Sequence, residues 1–449
     1  MFIDFLVDVF KKHENQDAII WKDRVYSYGW LLDRVHYWQD RIKGANIQQG
    51  TVAVLEADFS ANSIALFLAL AEKACILVPL ASSMGAKKDE FVEIAQAEAS
   101  LAIDEDDNVR IGTLPYIGKH ELYDRLEQIK HPGLVLFSSG STGKSKAILH
   151  DLSRLLGKFQ VPRHSWRTIS FLLYDHIGGI NTVLYVLSNA GCLVTVQDRS
   201  PDAVLATVER YKVELLPTSP TFINLILISE AYKRYDLSSL QTVTYGTEPM
   251  PETTLKRFHQ LFPHIRLLQT YGLSELGILR SKSKSSDSTW LRVGGEEFDT
   301  RVVNGTLQIK AQSSMLGYLN APSPFTEDGW FNTEDVVEVD GEFMRFRGRD
   351  SEIINVGGEK VFPTEVESVL LQMDNVKDAT VCGESNSILG NIVVAKINLV
   401  EPENLPSLRK RVREFCRDRM APYKVPIKIE VTEDSQFSAR LKKMRSVKL

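Results

Sequence analysis

The stretch Phe137-Ser138-Ser139-Gly140-Ser141-Thr142-Gly143-Lys144-Ser145-Lys146 lies between two apolar runs, Leu134-Val135-Leu136 and Ala147-Ile148-Leu149-His150. Apolar residues on both sides read as two short strands joined by a loop of hydroxyls, glycines and lysines. Glycines let backbone N–H groups converge on an anion, and the hydroxyls and ammonium groups add donors and positive charge, so the loop suits phosphate. A Walker-type loop needs four residues between its first glycine and Gly-Lys-Ser, followed by a helix. Gly140 stands only two residues before Gly143, and Ala147-Ile148-Leu149 reads as strand. Spacing and context both exclude that motif; a polar hairpin turn that binds nothing is the plainer alternative.

Working outward, the 449 residues suffice for two or more domains and a large core. A hydrophobic content of 43% and a charged content of 25% are ordinary for a globular chain, and a net charge of -5 gives no global case for nucleic acid or an anionic membrane. Cys75, Cys192, Cys382 and Cys416 are scattered without metal-type spacing, which predicts reduced, buried thiols and a cytoplasmic protein. The N-terminal Met1-Phe2-Ile3-Asp4-Phe5 carries acid where a signal peptide needs positive charge. Glu72-Lys73 interrupts the most apolar stretch, Ser63 to Leu80, so no membrane span is expected.

In order along the chain, helical spacing over Ser27–Ile42 precedes a strand at Thr51–Leu55, a helix at Asn62–Lys73 and a strand at Cys75–Pro79. Strand and helix then alternate at Ser170–Tyr174, Thr182–Asn189, Cys192–Val196, Asp202–Tyr211 and Glu214–Pro217, which predicts an α/β layer with parallel strands. The acidic run Asp104-Glu105-Asp106-Asp107 reads as a solvated turn, with a metal site as the alternative. Lys282–Ser288 reads as a polar loop, and Asp340-Gly341 is a hairpin signal. Beyond Arg349 the pattern becomes a small α+β unit with strands at Ala379–Val381, Ile392–Leu399 and Ile427–Val431 and helices at Pro363–Gln372 and Leu405–Arg419. The expected domains are 1–349, a large unit of layered α/β sheets with a small β-rich subdomain, and 350–449.

Further stretches carry chemistry. In Gln269-Thr270-Tyr271-Gly272-Leu273-Ser274-Glu275, the tyrosine offers a flat apolar face, the serine a donor and the glutamate a hard oxygen ligand for Mg²⁺ shared with phosphates. In Gly329-Trp330-Phe331-Asn332-Thr333-Glu334-Asp335, one carboxylate can accept two hydroxyls. Thr244-Tyr245-Gly246-Thr247-Glu248-Pro249, the run Arg347 to Lys360, and the tail Ser438-Ala439-Arg440-Leu441-Lys442-Lys443-Met444-Arg445 complete the set.

Taken in order, these stretches and the phosphate loop resemble the motifs of the ANL adenylating enzymes: acyl-CoA synthetases, luciferases and peptide-synthetase adenylation domains. The resemblance runs from about Ala18 to the C-terminus and implies ATP-dependent activation of a carboxylic acid, with pyrophosphate released, followed by transfer of the acyl group to a thiol. It implies phosphate binding by Ser138, Ser139, Gly140, Ser141, Thr142, Gly143, Lys144 and Lys146. Gly246, Thr247, Glu248, Pro249, Gln269, Thr270, Tyr271, Gly272, Asp335, Phe346 and Arg349 would surround the nucleotide, with Asp335 and Arg349 on the ribose. Lys442, Glu275, Ser274 and His176 would be catalytic, and Glu275 would hold Mg²⁺. Ser351 would be the interdomain hinge, with Gly357 and Gly358 on the thiol path. Ser145, Thr247, Glu334, Ser351 and Leu441 depart from the family pattern, where proline, glycine, glycine, Asp or Lys, and glycine are usual. Lys443 is the rival to Lys442 for the family's tail lysine.

By the same resemblance His176, Tyr245, Gly246, Gly272 and Leu273 wall the acyl pocket, and bulky Tyr245 predicts a shallow one for an aryl or short-to-medium acid. The thiol is expected to be coenzyme A, with the phosphopantetheine of a carrier protein as the alternative; a nucleotide-binding protein that lost catalysis is a reading of another class. From Leu405 to Leu449 thirteen Lys or Arg face five Asp or Glu, an excess of eight positive charges that suits either thiol donor.

Overall fold

The computed structural model describes residues 2–85, 87–139, 145–295, 297–434, 436–438 and 441–445, leaving aside the side chain of Ser139. Two seven-stranded sheets dominate it. The first orders its strands Gly317–Tyr318, Ser145–Asp151, Gly133–Ser139, Ile76–Leu80, Val52–Glu56, Ala99–Ile103 and Val109–Thr113. Gly133–Ser139 and Ser145–Asp151 pair antiparallel with Ser139 opposite Ser145, so the phosphate-loop stretch joins two strands, as the flanking apolar runs predict. Residues 140–144, which carry five of the expected phosphate contacts, lie outside the described residues.

The second sheet orders Arg266–Gln269, Thr242–Tyr245, Leu215–Thr218, Arg167–Ser170, Cys192–Thr195, Asp17–Trp21 and Arg24–Ser27, parallel except for its last pair. Helices Ala61–Glu72 and Ile177–Ser188 contribute to the hydrophobic cluster that the two sheets share. The first is buried at every residue from Ala61 to Ala71, which its Ile-Ala-Leu-Phe-Leu-Ala-Leu run allows; each large side chain so covered contributes about 1.5–3 kcal/mol. Its N-terminus is capped by Ser60, whose hydroxyl donates to Asp107, while the Asn62 N–H donates to the other Asp107 oxygen at 3.0 Å. Asp107 is therefore a buried helix cap, and Asp104 closes the turn by accepting the Asn108 N–H at 2.9 Å.

Two expectations shift. The strand expected over Ser170–Tyr174 is Arg167–Ser170, ending where that reading began. The polar stretch Lys282–Ser288 opens in strand Ser281–Ser283, whose hydroxyls replace a backbone ladder: Ser281 donates to the Gln269 carbonyl at 2.9 Å and Ser283 accepts the Gln269 N–H at 2.8 Å.

A six-stranded antiparallel sheet follows, including the hairpin of Phe331–Asp340 with Phe343–Arg349 that turns at Asp340-Gly341. Beyond it, strands Ile354–Val356, Glu359–Val361, Val376–Asn386, Gly390–Leu399 and Lys428–Val431 form a five-stranded sheet. Helices Pro363–Leu370 and Leu405–Arg417 pack on it around a core of their own, from Ile354 to Ile429. The architecture is thus mixed α/β with a large N-terminal and a small C-terminal unit. All four cysteines are buried free thiols, and burial pushes Cys75 and Cys192 up to about 12 and Cys416 up to about 11.

Candidate active site

In a parallel sheet the strand C-termini open onto loops, and there a single cavity of about 740 Å³ collects residues from five distant stretches. Ser138 and Lys146 reach it from the base of the phosphate loop, and the Lys146 ammonium sits 5.0 Å over the Tyr318 ring. Gly246, Thr247 and Thr270 reach it from the ends of two neighbouring strands. A Cβ on Gly246 would stand 2.8 Å from the Thr270 carbonyl oxygen, so this close approach requires glycine. Gly272, Leu273, Ser274 and Glu275 border the cavity from the next hairpin. The Glu275 carbonyl accepts the Met315 N–H at 2.8 Å and its Oε1 accepts the Tyr318 hydroxyl at 2.9 Å, which fixes the carboxylate in place.

His176 serves two roles. It borders the cavity, and its Nδ1 accepts the Gly178 N–H at 3.0 Å, capping helix Ile177–Ser188. A Cβ on Gly179 would meet the Leu173 carbonyl oxygen at 2.0 Å, so the sharp entry into this helix explains the paired glycines.

Asp335 lies in Phe331–Asp340, an interior strand of the six-stranded sheet, opposite Arg349, with 14% of its side chain exposed. It accepts the Tyr271 hydroxyl at 2.7 Å and faces the Arg349 Nε at 3.6 Å. Burial holds its carboxyl above the usual range against the pull of Arg349. One face of the Tyr271 ring is taken by Phe346, stacked at 4.5 Å, so Tyr271 and Phe346 support Asp335 and stand back from the cavity wall. Glu334 takes φ +59, the conformation that the family's glycine would supply, and Thr247 and Leu441 do the same at φ +74 and +49. These three departures preserve the backbone at a cost in strain.

The tail enters from the small unit as a tight hairpin in which Phe437 bridges Lys443 and the Ser438 N–H donates to the Lys442 carbonyl at 2.9 Å. Lys442 borders the cavity, and burial pushes its ammonium below the usual lysine range. Lys443 turns away: it is ion-paired with Asp378 and donates to the Ala379 carbonyl at 2.8 Å. Arg445 is locked on Glu367 at 2.9 Å.

Several expected site residues face elsewhere. Tyr245 does not wall the acyl pocket. Strand alternation sends Thr242 and Thr244 toward the cavity and Val243 and Tyr245 into the opposite core, where Tyr245 is 1% exposed. The expected shallow pocket fails with it: bordering residues continue along the sheet through Thr244, Thr242, Leu268, Leu215 and Thr168 to Trp166, making a deep tunnel. Gln269 shares the inward face with Tyr245. Glu248 accepts the Thr221 N–H at 2.9 Å and the Lys443 N–H at 3.0 Å, so its carboxylate binds chain, and neither it nor Pro249 borders the cavity. Ser351 lies exposed in the turn Asp350–Glu352 that links the two units. Gly357 and Gly358 are exposed and also off the cavity, at φ +58 and +92.

Sequence reasoning missed His150, Tyr318, Asn320 and Lys158. His150 is fully buried and its Nε2 donates to the Ser274 carbonyl at 2.6 Å. Asn320 bridges the phosphate-loop strand, donating to the Ser145 carbonyl and accepting the Ala147 N–H, both at 2.9 Å. Lys158 donates to Asn181 Oδ1 at 2.6 Å and to the Ile278 carbonyl at 2.8 Å.

The profile of the AMP-binding enzymes matches residues 6–308, and that of the AMP-binding enzyme C-terminal domain matches residues 365–448. The chain belongs to the AMP-binding enzyme family, within the ANL superfamily. Among curated members, an indoleacetate–CoA ligase of Aromatoleum aromaticum is 26% identical over 321 residues, 66% of this chain and 62% of that protein. A long-chain-fatty-acid–CoA ligase of Bacillus subtilis is 25% identical over 318 residues, 65% of this chain and 56% of that protein. The match thus spans about six-tenths of the length of these curated relatives. The fold superposes on an anthranilate CoA ligase in complex with anthranoyl-AMP at a TM-score of 0.83 and 20% identity, covering 98% of this chain and 95% of that one. It superposes on an amide bond synthetase from Marinactinospora thermotolerans at 0.77 and 19%, covering 98% and 97%. Among the described residues of this family member, no helix is long and apolar enough to cross a membrane.

Proposed function

We propose that this protein joins a carboxylic acid to ATP as an acyl-adenylate, releasing pyrophosphate, and then passes the acyl group to the thiol of coenzyme A. The observation that carries this reading is Lys442, an ammonium from the small unit, in the same cavity as Glu275 and Arg349 from the large one. Adenylation needs an acid oxygen aligned on the α-phosphorus and positive charge where negative charge develops, and no side-chain nucleophile. Lys442 supplies that charge from a buried position, where it acts at low dielectric. Asp335, steadied by Tyr271, offers its carboxylate to ribose hydroxyls beside Arg349.

Among the described residues no three His, Cys, Asp or Glu side chains converge. The Glu275 oxygen not bonded to Tyr318, together with ATP phosphates and water, suits Mg²⁺, which commonly binds one carboxylate plus phosphates. When bound, the ion would neutralise charge on the leaving pyrophosphate.

Acyl transfer is assigned to a second arrangement: the small domain, 350–449, turns about Ser351 and brings Gly357-Gly358 to the cavity. The CoA ligase relatives favour coenzyme A as acceptor. The test is incubation with MgATP and a panel of carboxylic acids, reading pyrophosphate and acyl-AMP mass, followed by coenzyme A or a phosphopantetheinylated carrier. Acyl-AMP with Glu275→Gln inactive supports the reading; a melting shift with ATP but no acyl-AMP from any acid overturns it.

A further inference from the structure

The tunnel follows the second sheet from end to end. Its inner end is set by Gly246 and Thr270 at the strand C-termini, next to Lys442. Its outer end is set by the strand N-termini, where register places Arg266 beside Thr242, Thr242 beside Leu215 and Leu215 beside Thr168. The strand Thr242–Tyr245 alone makes three steps, about 10 Å of depth at roughly 3.3 Å per residue.

The walls are rich in hydrogen-bond donors. Thr168, Thr242 and Thr244 line the sheet face. On the facing helix, Asn181 borders the tunnel and its Oδ1 accepts the Lys158 ammonium, so the bond occupies its acceptor and not its amide N–H donors. A chain bearing acceptors can bond the hydroxyls and amide along these walls, whereas a saturated chain would cover them with no partner of its own, at a cost for any left without one.

The outer mouth is cationic. Arg266 and His164 border it, Arg266 is exposed and forms no ion pair among the described residues, and Arg163 adjoins. The acid at the neighbouring strand end, Glu214, already accepts the Arg167 N–H at 2.8 Å and the Gln241 amide at 3.1 Å.

Resting on the adenylation reading above, we infer that the acid taken by this site is elongated and carries a second anionic group, which Arg266 and His164 receive at the outer mouth. The chain between the two charged ends bears acceptors or a ring rather than plain methylenes. One carboxyl is adenylated beside Lys442 while the other stays ionised some 10 Å away, and it is this distal charge that selects the substrate.

The experiment measures acid-dependent pyrophosphate release with matched pairs of linear α,ω-dicarboxylic and monocarboxylic acids of increasing length. The expected result is a diacid-to-monoacid ratio of kcat/KM that climbs with length and reaches roughly tenfold or more once the chain spans the tunnel. Arg266→Gln should bring that ratio down to about one, and Arg266→Lys should restore part of it. A ratio near one at every length, or one that Arg266→Gln leaves untouched, overturns the inference while release with any acid leaves adenylation standing. No release and no acyl-AMP with any acid removes both.

Discussion

The backbone N–H of Lys443 donates to Glu248 Oε2 at 3.0 Å, and this bond ties the tail of the small domain to the loop after strand Thr242–Tyr245. The other Glu248 oxygen accepts the N–H and the hydroxyl of Thr221 at the start of helix Pro220–Ser229. Nearby, the Ser219 hydroxyl donates to the Leu441 carbonyl at 2.8 Å. Two side chains of the large domain thus hold the turn that presents Lys442.

If this pin selects the arrangement that adenylates, its loss should weaken one half-reaction. Glu248→Ala is expected to slow acyl-AMP formation roughly tenfold, the scale of a lost hydrogen bond to a charged group, while transfer from a supplied acyl-adenylate changes less than twofold. Equal losses in both, with a lowered melting temperature, would reduce Glu248 to a support for helix Pro220–Ser229.

Much of this site was legible because its determinants are local. The apolar runs around Ser138 to Lys146 make the hairpin, and Asp340-Gly341 makes the turn that brings Arg349 opposite Asp335. The direction of Tyr245 was legible too: Thr242-Val243-Thr244-Tyr245 alternates polar and apolar, which sends the tyrosine to the core side. Reading its bulk without that parity produced the shallow pocket. What stayed hidden are bonds between distant residues: His150 to Ser274, 124 residues apart, and Glu248 to Lys443, 195 apart, have no local pattern that marks them. The missing glycines mislead for a related reason, since surrounding contacts hold a non-glycine residue at positive φ.

That strain is measurable. Thr247 is β-branched and held at φ +74, a conformation glycine adopts freely. Thr247→Gly should stabilise the unliganded protein by about 1 kcal/mol in denaturant unfolding, whereas Thr247→Ala, which keeps the Cβ, should gain little. A loss of stability in the glycine variant would mean that the Thr247 side chain contributes more than its backbone costs.

Lys158 makes stability depend on alkaline pH. Burial pushes its ammonium down to about 8 from an ordinary 10.5, so between those values the unfolded chain binds a proton that the folded chain has released. Stability contributed at this position therefore rises with pH across that window. Relative to Lys158→Met, which cannot titrate, the wild type should gain about 2 kcal/mol in unfolding free energy between pH 7 and pH 10. A constant difference over that range would mean that Lys158 stays charged on Asn181 and the Ile278 carbonyl.

The two tail lysines should separate the two proposed half-reactions. Lys442 borders the cavity, whereas Lys443 is spent on Asp378 and the Ala379 carbonyl within the small domain. On the adenylation proposal, an ammonium in the cavity would stabilise charge on the pentacoordinate phosphorus and align the acid, and would have no task once the adenylate exists. Lys442→Ala should lower acyl-AMP formation by a hundredfold or more, the scale of a lost preorganised donor, yet still transfer a supplied acyl-adenylate to the thiol. Lys443→Ala should leave an unpaired carboxylate at Asp378, 14% exposed, and lower stability by about 1–3 kcal/mol with a smaller effect on either rate. The comparison needs rapid-quench measurement of acyl-AMP for both variants and thioester formation from synthetic acyl-adenylate. Normal adenylation by Lys442→Ala with loss in Lys443→Ala would move the tail by one residue; normal adenylation by both would take the tail out of the chemistry.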